Sequence, residues 1–195
     1  MHDGRDTRAI ALALRIMRQA DYRAVVIDSF TIRAMAHADL EVVGRLAAEL
    51  VAMHHAFDRL RFIQLPDAAK GYAGYLGREL KSARVVLLVA ERASDHAVVG
   101  YAYGCLEGRD YNALLDAAGK LEDVYVDASV RGQGIGEQLV RALLARLTEK
   151  GAPRVVLMTA TKNESAQRLF ARLGFRTTMQ EMTRESEIRE GEAPR

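Results

Sequence analysis

Apolar residues recur along this chain at two periods, and each change of period marks a new element. From Asp39 to Phe57, Leu40, Val43, Leu46, Leu50 and Met53 fall on one side of a helix, with Asp39 placed to cap it. Pro66, at a first turn, opens a second helix over Asp67–Lys81. Earlier, Ile10, Leu14 and Met17 share a face with Arg15, Arg18 and Gln19 elsewhere, which predicts an amphipathic helix over Arg8–Tyr22. A first strand falls at Phe30–Arg33. Val85–Ala90 and Val98–Leu106 have strand composition and are joined by Ser94-Asp-His, a hairpin connection. Next comes a polar excursion, Glu107–Lys120, in which Ala113-Leu-Leu115 suggests a helical turn. Leu121–Val126 is a further strand. Helical spacing returns at Leu139, Val140, Leu143, Leu144 and Leu147 within Glu137–Lys150. Gly151 and Pro153 separate that helix from a strand at Arg154–Thr159, a helix opens at Glu164, and Phe175–Thr183 supplies the final strands. Strands with helices between them predict a mixed, twisted α/β sheet flanked by helices.

Composition narrows the function classes. At 195 residues the chain fits one domain with a real core. We divide it into a 1–29 extension carrying the amphipathic helix, a 30–184 domain and a charged 185–195 tail. A formal charge of +2, with acids and bases interspersed, gives no field suited to polyanions, so nucleic acid is not an expected partner. The single Cys105 excludes an internal disulfide and suits a reducing cytoplasm. No run reaches the roughly eighteen apolar residues of a membrane span. Met1–Asp6 lacks the basic run of a signal peptide. A cytoplasmic protein with no membrane partner is expected.

The most informative stretch is Leu121–Gly136. Val124, Tyr125 and Val126 are strand formers, Asp127–Ser129 break the run, and the Glu137–Lys150 helix follows. Gly132, Gly134 and Gly136 therefore sit at a helix N-terminus. There the first N–H groups have no partner inside the helix and the macrodipole is positive, so main chain alone binds an anion where no Cβ obstructs it. Arg131 adds a charged donor, and the turn from Arg131 through Gly132, Gln133, Gly134, Ile135, Gly136 and Glu137 is a candidate pyrophosphate site. Its third glycine comes one residue too early for the G-x-G-x-x-G of a dinucleotide fold, and the Gly-Lys-Ser/Thr of a P-loop is missing.

Arg131, Gly134 and Gly136 instead resemble the Arg-x-x-Gly-x-Gly signature of the GCN5-related N-acetyltransferase (GNAT) superfamily. A second block, Asn163-Glu-Ser-Ala166-Gln-Arg-Leu169-Phe170-Ala-Arg-Leu173-Gly174-Phe175, is similar to that superfamily's Asn-x-x-Ala-x-x-Leu-Tyr-x-x-Leu-Gly-Phe helix and following strand. The resemblance runs from about Thr31 to Arg184 and is weak before Val85. It implies a sheet splayed between its fourth and fifth strands, with acetyl-CoA as co-substrate. The pyrophosphate would lie on the glycine turn, the pantetheine arm along the strand edge at Val124, Tyr125 and Val126, and Asn163 would reach the arm from the other wall. Read by itself, Asn163 is a helix N-cap, a role compatible with the first.

Acetyl transfer to an amine sets three demands. The amine must lose a proton, the thioester oxygen must be stabilised as it becomes an oxyanion, and a thiolate must leave. By family analogy the backbone N–H of Val124, freed where the fourth strand bulges, meets the second. Glu122 is the candidate for the first, because period-two alternation puts it on the face of Val124 and Val126 and places Tyr125 opposite. Some relatives carry this acid two residues earlier, where Lys120 stands, while the Leu121-Glu122-Asp123 triplet looks most like the polyamine acetyltransferases. Glu122 reads equally as a substrate-binding anion or a surface acid. For the third demand the family uses a tyrosine, and the matching residue is Phe170, which has no proton to give. The ring keeps an apolar contact with the cofactor arm, and departure without an acid, another donor, or loss of activity all remain open.

Other sites are weaker. Adjacent His54 and His55 cannot share a helix face, and no H-x-x-x-H or C-x-x-C pair indicates a metal, so none is expected. Cys105 reads as a small core hydrophobe. The resemblance implies direct attack of a primary amine on acetyl-CoA in a ternary complex, in a homodimer. It places acceptor choice in Ala36–Lys81 and Glu107–Lys120. The alternatives are a catalytically silent acyl-CoA-binding module and a protein or peptide N-acetyltransferase.

Overall fold

The computed structural model describes residues 29–186. The helix expected over Arg8–Tyr22 lies outside them. Among the described residues, the strands are β1 (Phe30–Ala34), β2 (Val85–Arg92), β3 (Val98–Glu107), β4 (Ala118–Val126) and β5 (Val155–Leu157). The helices are α1 (Leu40–Phe57), α2 (Ala68–Glu79), α3 (Ile135–Glu149) and α4 (Glu164–Arg172). The strands form one sheet in chain order. The β1–β2, β2–β3 and β3–β4 pairs are antiparallel and β4–β5 is parallel. A parallel pair needs a crossover, and α3 supplies it. No helix among the described residues is long and apolar enough to cross a membrane.

Both faces of the sheet are covered, which explains the unbroken apolar run of β2. Val86, Leu88 and Ala90 turn toward α3, where Leu139, Leu143 and Leu147, four residues apart, are fully buried. Leu87 and Val89 turn the other way, toward α1 and its stripe of Leu40, Val43, Leu46 and Leu50. Each such leucine contributes roughly 1.5–3 kcal/mol by leaving water.

Four expectations need correction. Asp39 occupies the N-cap position of α1 without capping it, because its carboxylate is taken by Arg33 (2.7 and 2.9 Å) and by the Ala36 N–H (2.7 Å). Those bonds, the Arg33 one foremost, hold the Asp39 carboxyl below its usual range. Pro66 precedes α2 rather than sitting in its first turn, since Asp67 is the N-cap. No helical turn forms at Ala113–Leu115. β3 and β4 run further than expected and meet in a tight loop closed by an Asp110–Leu115 bridge, with the Asp110 carboxylate accepting from the Asn112 and Ala113 N–H groups. Finally, Phe175–Thr183 forms no strand among the described residues. A ladder needs a neighbouring backbone, and the contact this stretch makes at Glu181 is an exposed side-chain ion pair with Arg61.

Candidate functional site

The site begins with an irregularity in β4. Tyr103 stands opposite Asp123 and Gly104 opposite Leu121, so Glu122 is an extra residue, a β-bulge. The bulge resets the alternation. Leu121, Val124 and Val126 face α3, whereas Tyr125 faces α1 and Asp123 joins it there, accepting from the buried Tyr101 hydroxyl (3.3 Å). Glu122 lies with Lys120 (3.0 Å) and Cys105 (4.0 Å), on that same side. Alternation alone put Glu122 with Val124 and Val126 and opposite Tyr125. The bulge reverses both placements.

The ladder also fixes where the β4 amides point. The Asp127 N–H donates to the Val99 carbonyl (2.8 Å), so residues 127 and 99 are a hydrogen-bonded pair. In an antiparallel ladder such pairs alternate with non-bonded ones. Tyr125 with Tyr101 is therefore bonded, and Val124 with Ala102 and Val126 with Gly100 are not. The N–H and C=O of Val124 and Val126 face away from β3. On that side β5 pairs with β4 only from Gly119 to Leu121 and then diverges. Val124 thus offers its main chain to an open cleft, and Tyr125 spends its own on β3. The Arg131 Nε donates to the outward Val126 carbonyl (2.9 Å), with the guanidinium 5.0 Å from the Tyr125 ring centre, so its charge lies against β4.

Beyond β4 the chain turns through Gly132 (φ 81°) and Gly134 (φ 79°), a backbone region that side chains rarely adopt. Gly134 is the N-cap of α3 and contributes no side chain to it. The first bond of the helix runs from the Gln138 N–H to the Gly134 carbonyl, so the N–H groups of Ile135, Gly136 and Glu137 find no acceptor within the helix. The Ile135 side chain is buried in the core, Gln133 is exposed, and Glu137 pairs with Arg141 (2.8 Å). On the far wall, Asn163 Oδ1 accepts from the Ala166 N–H (3.3 Å) as the N-cap of α4. Phe170 is buried and packs edge-on against Phe175.

Two cavities meet on Glu122, Asp123 and Tyr72. The first, about 260 Å³, fills the splay: Leu121–Val124 form one wall, Met158, Thr159, Asn163, Ala166 and Phe170 the other, and His54 of α1 the roof. The second, about 450 Å³, continues toward α2 and is lined by Leu65, Gly71, Tyr72, Tyr75 and Tyr103. Burial pushes the Asp123 carboxyl up to about 6, and the Glu122 charge adds to this against the Tyr101 bond and His54. His54 Nδ1 lies 2.9 Å from the Leu50 carbonyl, which can only accept. Nδ1 therefore carries a hydrogen and donates to that carbonyl. His55 instead meets the Phe62 carbonyl (2.8 Å).

Cys105, Glu107 and Glu122 place their ligand atoms within 4.8 Å of one another, but Lys120 Nζ lies 3.0 Å from Glu122 and 3.7 Å from Glu107 and already supplies positive charge there. Burial also pushes the Cys105 thiol up to about 11, which keeps it protonated and a poor ligand. Spacing in the sequence does not single out Asp123, Tyr72 or Tyr75 as site residues. The available signal was two adjacent acids in a strand, which becomes informative only with the bulge.

The profile of the acetyltransferase (GNAT) family matches residues 50–175. A curated relative, glucosamine 6-phosphate N-acetyltransferase 1 of Oryza sativa subsp. japonica, is 30% identical over 118 residues, 51% of this chain and 71% of that protein. Among solved structures, a tetramutant of the BH1408 protein of Bacillus halodurans superposes with a TM-score of 0.69 at 20% identity, covering 79% of this chain and 98% of that one. The aminoglycoside N-acetyltransferase AAC(6')-Iy, solved in complex with CoA, gives 0.65 at 23% identity over 82% and 97%. These two establish likeness of fold. With the splayed sheet, the glycine turn and a family match over most of its length, the chain belongs to the GNAT acetyltransferase family.

Proposed function

We propose that this protein transfers the acetyl group of acetyl-CoA to a primary amine by direct attack in a ternary complex. The observation that carries the proposal is that the outward Val124 N–H and the Asp123 carboxyl, held near pH 6, line one cavity in the splay between β4 and β5. Three N–H groups at the start of α3, reached past glycines, suit a pyrophosphate. The outward groups of Val124 and Val126 suit the amides of a pantetheine arm, and the Asn163 NH₂, with its oxygen engaged as the N-cap, is a donor from the opposite wall.

Each residue then has a chemical task. Asp123 accepts the proton of the arriving ammonium, and Glu122 holds the cation beside it. The exposed nitrogen lone pair attacks the thioester carbon, and Val124 N–H donates to the carbonyl oxygen as it becomes negative. The tetrahedral species collapses by breaking its C–S bond, and the second proton on its nitrogen passes to solvent, releasing the neutral amide and a thiolate. With Phe170 at the far wall, the thiolate leaves without an acid from α4, which its ordinary pKa of about 8.5 permits. The setting is proposed to be a cytoplasmic homodimer. A second reading, acyl-CoA binding without turnover, rests on Phe170. Thiol release measured with acetyl-CoA and a panel of amines, beside calorimetric titration with acetyl-CoA, separates them. Turnover with an amine supports the transferase, and binding with no turnover supports the silent module.

A further inference from the structure

The second cavity is walled by aromatic rings and acids. Three of its seven lining residues are tyrosines and two are carboxylates. The rings of Tyr72 and Tyr75 meet edge-on at 6.5 Å, and those of Tyr75 and Tyr103 at 6.0 Å. Their hydroxyls are ordered as well. Tyr103 donates to Glu79 Oε2 (3.1 Å), so the 2.9 Å contact between the two phenols has Tyr75 as donor. That chain ends on a carboxylate, and burial raises the Tyr72 and Tyr103 phenols, which stay neutral. Among the described residues lining either cavity there is no Lys or Arg. The nearby ammonium of Lys120 is already engaged by Glu122 (3.0 Å).

Tyrosine faces and carboxylates attract cations and repel anions. A phosphorylated amino sugar, the acceptor named for the rice relative, would bring a dianion to a wall without a basic residue. We infer that the acceptor is a dication, a diamine or polyamine with one amine at Asp123 and Glu122 and a second ammonium held by the rings of Tyr72, Tyr75 and Tyr103. The inference rests on the acetyltransferase reading above and specifies its substrate. At about 450 Å³ the second cavity accommodates such a chain beyond the reacting amine.

The test compares three acceptors on the full chain with acetyl-CoA: 1,4-diaminobutane, its near-isostere n-pentylamine, and glucosamine 6-phosphate. The diamine is expected to exceed pentylamine in kcat/KM by about tenfold or more, mainly through KM, and the phosphosugar to rank last. Tyr75→Leu, at a partly exposed position, should bring the diamine-to-pentylamine ratio toward one. A wild-type ratio of one or below, or a preference for glucosamine 6-phosphate, overturns the dication and leaves the acetyltransferase reading standing. Acetyl-CoA bound with no thiol released by any amine overturns both.

Discussion

The Tyr101 hydroxyl donates to Asp123 Oδ2 across 3.3 Å, joining a phenol with no exposed surface to a carboxyl whose affinity for protons is raised to about 6. The pair stands next to the bulged Glu122, and Asp123 lines both cavities. Tyr101 orients the acid and slightly restrains its rise, while burial drives it. A carboxyl poised near the working pH accepts a proton from an ammonium more effectively than an ordinary one, at the expense of stability.

That trade gives the first prediction. The folded state binds a proton at Asp123 up to about pH 6, whereas an unfolded aspartate releases it near 3.8. Between these values the native state holds more protons than the unfolded one, so stability falls as pH rises through the window, by roughly 3 kcal/mol in all. Asp123→Asn keeps an oxygen for Tyr101 and removes the charge. It should raise the melting temperature at pH 7.5 and lower kcat/KM about a hundredfold or more. It should also abolish the acidic limb near pH 6. An unchanged limb would return the base role to Glu122.

Glu122→Gln provides the companion measurement. Glu122 is ion-paired with Lys120 and is proposed to hold the cation, so its amide should raise KM by about tenfold and move the acidic limb only modestly below pH 6, since burial is the main cause of the Asp123 rise and the Glu122 charge a lesser one. A loss in kcat with the limb abolished would make Glu122 the proton acceptor.

How much of this was legible in the sequence depends on how local each determinant is. The α1 stripe of Leu40, Val43, Leu46 and Leu50 and the α3 series of Leu139, Leu143 and Leu147 are encoded by spacing alone, and both bury as expected. The glycine turn is similarly local, because a positive φ at Gly132 and Gly134 selects for glycine in place. The bulge is not local. It arises from how β4 registers on Tyr103 and Gly104, some twenty residues away, and it alone moves Glu122 and brings Asp123 beside it. The Asp39 cap failed for a related reason. Asp39 has a good local role, and its charge goes instead to Arg33, which folding brings near. The strands expected at Phe175–Thr183 had composition in their favour and no backbone beside them.

The glycine turn yields a controlled pair. Gly134 and Gly151 both have positive φ (79° and 95°) and open space around a would-be Cβ, so valine at either is strained by about 1–2 kcal/mol. Only Gly134 precedes the free N–H groups of α3, since Gly151 follows its other end. Gly134→Val should weaken acetyl-CoA binding by at least tenfold in calorimetry, and Gly151→Val should destabilise comparably with affinity within about twofold. Equal affinity losses would show that the effect is on the fold.

Phe170→Tyr tests departure of the thiolate. Phe170 lines the first cavity, so an added hydroxyl has space on that side. If breakdown of the tetrahedral species limits turnover, kcat should rise severalfold and gain an alkaline limb from the new phenol, with the melting temperature nearly unchanged. An unchanged kcat for every acceptor would mean that this step is not limiting or that another donor serves it.

The outward Val124 amide admits the sharpest test, because proline removes an N–H without touching the neighbouring ones. At Val124 the lost donor faces the cleft, and the β3–β4 ladder keeps its bonds. Proline is tolerated where the N–H of a strand is unpaired. Val124→Pro should therefore fold, with a melting temperature lowered by a few degrees, and lose about a hundredfold or more in kcat, the usual worth of one oxyanion donor. Tyr125→Pro, one residue along, removes a donor that the ladder assigns to Tyr101 and should unfold the sheet or depress its melting temperature far more. Circular dichroism melts of the two variants, with kcat for the first, check the assignment. If Val124→Pro unfolds while Tyr125→Pro is benign, the amide directions are reversed and Val124 has no donor to offer the cleft.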